Sequence, residues 1–289
     1  MWRASIRAIY SDQGEMEPTA DLSSISCREL YLDLLKRSLT FMLWDGGDGH
    51  VADFPLSRPL HAIVNAVRRL TRSRRPDKSL REQGQDWPAL GLTMVGMKRL
   101  DNVQRCVEDV LRNNIPGDLL EAGVWRGGVP IFMRAILKAY GVRDRAVWVA
   151  DSFAGLPVPN VRDYPADRGY DLTMFKSLAV SIDQVRYNFE RFGLLDDQVR
   201  FLQGWFKDTL PSAPIDKLAV MRLDAELYES TMDALVSLYP KLSTGGYAII
   251  DDYGNAPPCR QAVDEFRRRH AITDEIVIID WSGAYWQKT

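Results

Sequence analysis

From Gly117 onward, short apolar runs alternate with amphipathic segments, and most of the apolar runs end at or beside an acidic residue. Apolar runs bounded by Gly or Pro read as strands, and apolar residues recurring every three or four positions read as helices. The pattern predicts strands over residues 117–121, 146–151, 198–203, 217–224 and 245–251. Helices are predicted over residues 129–140, 183–192, 229–239 and 258–270. Residues 275–280 and 284–288, with Gly283 between them, predict a closing hairpin. A chain that alternates in this way forms an α/β fold: a mostly parallel sheet covered by helices on both faces, here with an antiparallel end.

The region before Gly117 reads differently. Residues 1–25 have no apolar period and predict a loose arm. Leu30, Leu34, Leu35 and Leu39 predict a helix over 27–41, and Leu100, Val103, Val107, Val110 and Leu111 another over 97–113. Between them Leu60, Ile63, Val64, Val67 and Leu70 run helically into Arg68, Arg69, Arg72, Arg74 and Arg75. We therefore expect an N-terminal arm and helical cap over residues 1–115, followed by the sheet domain over 116–289.

Composition narrows the partners. With 37 basic against 39 acidic residues the net charge is −2, which gives no global attraction to nucleic acid or to an anionic membrane. The Arg cluster then reads as a solvated helix face, with a phosphate-binding patch as the competing reading. Cys27, Cys106 and Cys259 are odd in number and far apart, neither a disulfide framework nor a metal quartet. No apolar run approaches the ~18 residues needed to span a bilayer, and the N-terminus lacks a secretory core. A cytoplasmic protein is expected.

In an open α/β sheet, ligands gather beyond the carboxyl ends of the strands. The first strand runs into Glu121-Ala-Gly-Val-Trp-Arg-Gly-Gly128, without the G-x-G-x-x-G spacing that seats a pyrophosphate. A carboxylate at Glu121, with Gly123 allowing close approach, suits a cationic ligand. Asp151, followed by Ser152, ends the second strand where a carboxylate takes ribose hydroxyls; a helix cap is the alternative. Together these features describe S-adenosylmethionine. Gln203, Gly204 and Trp205 then lie by the adenine, unless Trp205 is a core residue. The fourth and fifth strands end in Asp224-Ala-Glu226 and Asp251-Asp252. If these strands are neighbours, Asp224, Asp251 and Asp252 share one cation, and oxygen-only ligands point to Mg²⁺. Helix capping competes for Asp252.

The chain resembles the macrocin O-methyltransferase (TylF) family. The resemblance runs through Leu30-Tyr-Leu-Asp-Leu-Leu-Lys-Arg-Ser-Leu-Thr40, Arg81-Glu-Gln-Gly-Gln-Asp-Trp-Pro88 and Thr93-Met-Val-Gly-Met-Lys-Arg-Leu-Asp-Asn-Val-Gln104. It continues through Leu120-Glu-Ala-Gly-Val-Trp-Arg-Gly-Gly128, Asp151-Ser-Phe-Ala-Gly-Leu-Pro157, Arg222-Leu-Asp-Ala-Glu-Leu-Tyr-Glu-Ser-Thr231 and Gly245-Gly-Tyr-Ala-Ile-Ile-Asp-Asp-Tyr253. It implies a class I methyltransferase, Rossmann-like sheet. The implied activity is methylation by S-adenosylmethionine, with Mg²⁺, of a deoxysugar hydroxyl on a glycosylated natural product in antibiotic biosynthesis, by a homo-oligomer. By that similarity Glu121, Gly123 and Asp151 are cofactor contacts, and Asp224, Asp251 and Asp252 the metal site. Where the family carries a second Asp regarded as a candidate base, this chain has Glu226. Capping of the helix near Ser230 is the other reading of that residue. The rival functions are a dehydrogenase, a methyltransferase acting on a non-sugar or nucleic-acid acceptor, and a non-catalytic cofactor-binding protein.

Overall fold

The computed structural model describes residues 26–44 and 78–289. The expected N-terminal arm, the helical pattern at residues 60–70 and the Arg68 to Arg75 cluster lie outside the described residues.

Helix α1 (Cys27–Leu39) starts at a reciprocal cap. The Ser26 hydroxyl accepts the Glu29 N–H at 3.2 Å, and the Glu29 carboxylate accepts the Ser26 N–H at 2.7 Å. Its buried stripe is Leu32, Leu35 and Leu39, whereas Leu30 and Leu34, expected on the apolar face, point to solvent. The difference follows from what α1 packs on, namely α3 (Met97–Arg112) and the helix after the first strand. In α3, Leu100, Val103, Val107 and Val110 are buried at 0–1% exposure, each contributing ~1.5–3 kcal/mol of apolar burial. A short α2 (Lys78–Glu82) precedes it.

The sheet then unfolds in chain order: β1 (Asp118–Ala122), α4 (Gly128–Ala139), β2 (Val147–Asp151), α5 (Ile182–Arg191), β3 (Val199–Gln203), α6 (Phe206–Thr209), β4 (Leu218–Leu223), α7 (Tyr228–Leu238), β5 (Leu242–Ile250), α8 (Pro257–Arg269), β6 (Val277–Ile278) and β7 (Ala284–Gln287). The seven strands lie in the order β3-β2-β1-β4-β5-β7-β6. Strands β1 to β5 are parallel, and β7 runs antiparallel to both β5 and β6. The expected α/β fold with an antiparallel C-terminal pair is therefore what the chain adopts. β5 begins three residues before the predicted start, and α6 was not foreseen.

Both sheet faces are covered. Leu119, Val147 and Val149 pack with the N-terminal helices and α4, while Leu120, Ala122 and Trp148 pack on the side of α7 and α8. That two-sided burial is why β1 and β4 read as continuous apolar runs. The chain lays down β1 to β3 outward, then returns across β1 to place β4, so strand order reverses between β1 and β4. Crevices at such reversals receive ligands. No described helix is long and apolar enough to cross a membrane.

Candidate functional site

The hydrogen-bond ladder runs past the strand ends. Gly123 N–H donates to the Ala150 carbonyl at 2.8 Å, Asp224 N–H to Ala122 at 2.9 Å, and Asp251 N–H to Leu223 at 2.9 Å. Residues at the ends of four adjacent strands are thereby set side by side. Gly123 has φ +87°, and a Cβ there would lie 1.8 Å from the Asp224 carbonyl oxygen. Only glycine lets the turn after β1 pass so close to β4. Gly123→Ala is therefore expected to cost ~2 kcal/mol or more and to abolish retention of S-adenosylmethionine. Wild-type affinity in a calorimetric titration of that variant would mean the turn shifts freely.

Beside this edge is a cavity of about 210 Å³. Its wall includes Gly123, Asp151, Ser152, Gly204 and Trp205, five of the expected cofactor contacts. Asp224 and Glu226 face the same space. Trp205 is 37% exposed, so it is not a core residue. The Asp151 carboxylate accepts the N–H groups of Val124 and Phe153, both at 2.8 Å, tying the turn after β1 to the turn after β2. No helix follows directly for Asp151 to cap. Burial pushes its pKa up, and the two N–H groups oppose that shift. The Ser152 hydroxyl accepts from Ala154 N–H at 3.0 Å and donates to the Gly155 carbonyl at 2.6 Å, shaping the start of the long loop.

Glu121 and Gln203 lie off this wall. Glu121 is 1% exposed and its carboxylate pairs with the Arg222 guanidinium. Gln203, the last residue of β3, is exposed. Burial raises the Glu121 pKa to about 8 against the pull of Arg222.

The clustered acids differ from the expected set by one member. Carboxylate oxygens of Asp224, Glu226 and Asp252 lie within 4.8 Å of one another. Asp251 instead spends both oxygens on guanidinium groups, one on Arg222 and the other on Arg99 Nη1 at 2.5 Å. Arg99, from α3, is fixed in turn by Asp280 and the Gly84 carbonyl, each at 3.1 Å. Arg222 also reaches Asp224 at 3.1 Å. Burial would raise the Asp251 pKa, but the charges of Arg222 and then Arg99 hold it below the ordinary value. The other three go the opposite way. Burial, then neighbouring carboxylates, raises Asp224 and Glu226 well above their usual range and Asp252 to about 6. Three mutually repelling oxygen donors at one point suit a hard divalent cation, which removes the repulsion.

Glu226 does not reach the cluster by strand alternation, because β4 stops at Leu223 and Glu226 itself has φ +49°. A tight turn closed by Leu227 N–H on the Ala225 carbonyl at 2.5 Å carries it there, and its own N–H donates to Asp252 at 3.3 Å. Its side chain caps no helix, since the N-cap of α7 is Leu227 and makes no side-chain bond. Arg99 and Arg222 went unrecognised as site residues. The one local signal was a lone arginine inside the apolar run of β4.

Residues 28–288 match the family described as Macrocin-O-methyltransferase (TylF). The chain is 59% identical over 261 residues to a demethyldecarbamoylnovobiocin O-methyltransferase of Streptomyces niveus, covering 90% of this chain and 94% of that one. It is 51% identical over 264 residues to a mycinamicin III 3''-O-methyltransferase of Micromonospora griseorubida, covering 90% and 97%. Among solved structures, the O-methyltransferase NovP superposes with a TM-score of 0.80 at 50% identity, covering 91% of this chain and 99% of that one. With its strand order, its cavity and these relatives in agreement, the chain belongs to the macrocin-O-methyltransferase (TylF) family and is an S-adenosylmethionine-dependent O-methyltransferase.

Proposed function

We propose that the protein methylates a hydroxyl on the sugar of a glycosylated natural product, in antibiotic biosynthesis, with the help of a divalent cation such as Mg²⁺. The observation that carries this reading is the meeting of Asp224, Glu226 and Asp252 within 4.8 Å at a cavity that Asp151 and Gly123 also line. The named relatives are O-methyltransferases of demethyldecarbamoylnovobiocin and mycinamicin III, which supports the substrate class. Residues 116–289 would form the cofactor-binding unit.

Asp151, at the end of β2, would hold the ribose, with Gly204 and Trp205 beside the adenine. Asp224 and Asp252 would hold the cation, with Glu226 closing the third side and Asp251 kept behind them by two guanidinium groups. A bound divalent ion lowers the pKa of a hydroxyl that it coordinates. Glu226 takes the proton of the acceptor hydroxyl. Bound S-adenosylmethionine would supply an electrophilic sulfonium methyl to the hydroxyl oxygen, its sulfur leaving with the bond's electron pair as a neutral thioether. The Glu226 carboxylate faces the cavity, which suits a general base. The loop after β2 supplies Leu156, Pro157, Val158 and Asn160 to the cavity wall, which limits water where the sulfonium charge disappears.

The test uses demethyldecarbamoylnovobiocin as the acceptor probe. Methyl transfer should cease with excess chelator and return with Mg²⁺, and Glu226→Gln should slow single-turnover methylation by ~10² or more. Full turnover in chelator would remove the cation from the mechanism. A wild-type rate in Glu226→Gln would remove Glu226 as base.

A further inference from the structure

The crevice has a second fastening, made from the loop between β2 and α5. Asp167 ends a single 3-10 turn, Pro165–Asp167, and is 0% exposed. Its Oδ1 accepts the Tyr228 N–H at 2.6 Å and its Oδ2 accepts the Glu229 N–H at 3.2 Å. These are the first two N–H groups of α7, the helix whose own N-cap residue offers no side-chain bond. The leading N–H groups of a helix lack partners inside it and carry partial positive charge. A carboxylate from 61 residues earlier in the chain satisfies them. The Tyr164 and Tyr228 rings lie alongside, with centroids 6.0 Å apart.

What this contact fixes lies two residues upstream, at Glu226. A left-handed backbone is unfavourable for a glutamate, and such residues persist only where their surroundings over-determine them. Glu226 is held on one side by Asp252, which accepts its N–H. On the other side the chain passes through Leu227 to Tyr228, whose N–H is bound by Asp167. Release of that end would let the turn relax toward ordinary backbone angles and swing the Glu226 carboxylate away from Asp224 and Asp252. The same loop carries Pro157, Val158 and Asn160 on the cavity wall.

We infer that Asp167 is a positioning residue for the methyl-transfer site. Acting through the N-terminus of α7, it keeps Glu226 in the left-handed conformation that brings its carboxylate to Asp224 and Asp252. The inference rests on the role proposed for Glu226, and the test separates the two.

The full chain is titrated with Mn²⁺ followed by electron paramagnetic resonance, using Glu226→Gln, Asp167→Ala and the double variant. Asp167→Asn, which keeps the shape of the side chain, stands in if the alanine variant does not fold. Glu226→Gln and the Asp167 variant should each weaken Mn²⁺ by about 10- to 100-fold, the usual cost of disturbing the shell that orients a metal site. The double variant should be no weaker than Glu226→Gln alone. With demethyldecarbamoylnovobiocin, the Asp167 variant should lose kcat while keeping the KM for S-adenosylmethionine. A plain helix cap would lower the Tm and leave Mn²⁺ affinity unchanged, and that result, with Glu226→Gln impaired, overturns the inference alone. Additive losses in the double variant overturn the route through Glu226. A Glu226→Gln variant unimpaired in both Mn²⁺ binding and single-turnover methylation overturns both readings.

Discussion

Arg222→Met is expected to lower the unfolding free energy by ~3–5 kcal/mol, the scale of breaking a buried ion pair by removing one partner. Arg222 is 0% exposed and is the charge between Glu121, Asp224 and Asp251. Without it, the buried carboxylates of Glu121 and Asp251 and the partly buried one of Asp224 face one another with only Arg99 nearby, and the cost of holding them ionised falls on the folded state. The pH dependence has a definite sign. Carboxylates whose folded pKa rises above the unfolded value bind more protons when folded, so the variant loses stability as pH rises above ~4. The deficit relative to wild type should therefore be larger at pH 8 than at pH 5. Urea denaturation at both values measures it, and a deficit below ~1 kcal/mol at pH 8 would mean that Arg222 is dispensable.

The other large effect is expected at Asp151. Asp151→Ala removes the proposed ribose acceptor and also the carboxylate that accepts Val124 N–H and Phe153 N–H at 2.8 Å. Loss of two charge-assisted bonds to the ribose hydroxyls corresponds to ~3–6 kcal/mol before compensation, or about 10²- to 10⁴-fold in affinity for S-adenosylmethionine. Asp151→Asn keeps one oxygen for a backbone N–H and should lie between the wild type and the alanine variant. Calorimetry giving equal affinity for all three proteins would remove Asp151 from the cofactor site.

The layout of strands was legible because both faces of the sheet are buried, so each strand declares itself as an apolar run closed by a turn. Placement on the cavity wall was legible where it depends on a residue's own strand end, as at Asp151, Asp224 and Gly123. It was not legible where a role depends on a distant partner. Nothing in the spacing of Asp251 and Asp252 reveals that Arg99 and Arg222 claim the first and leave the second to the acid cluster. Glu226 does not meet Asp224 by the alternation of a strand, because β4 ends at Leu223. It meets it instead through a left-handed turn that a local pattern gives no reason to foresee in a non-glycine residue. Asp167 is a further case, an acid in a polar loop until the fold sets it against α7.

The bonds of Arg99 also bear on how the protein is made. Arg99 waits 152 residues for Asp251 and 181 residues for Asp280. A nascent chain emerging from the ribosome can collapse α3 against α4 early. Its Arg99 guanidinium then has neither carboxylate partner until Asp251 and Asp280 have also emerged. Contacts of such long sequence separation form late and slowly. Fragments that stop short of Asp280 therefore lack one of the two groups that hold Arg99 in place against Asp251.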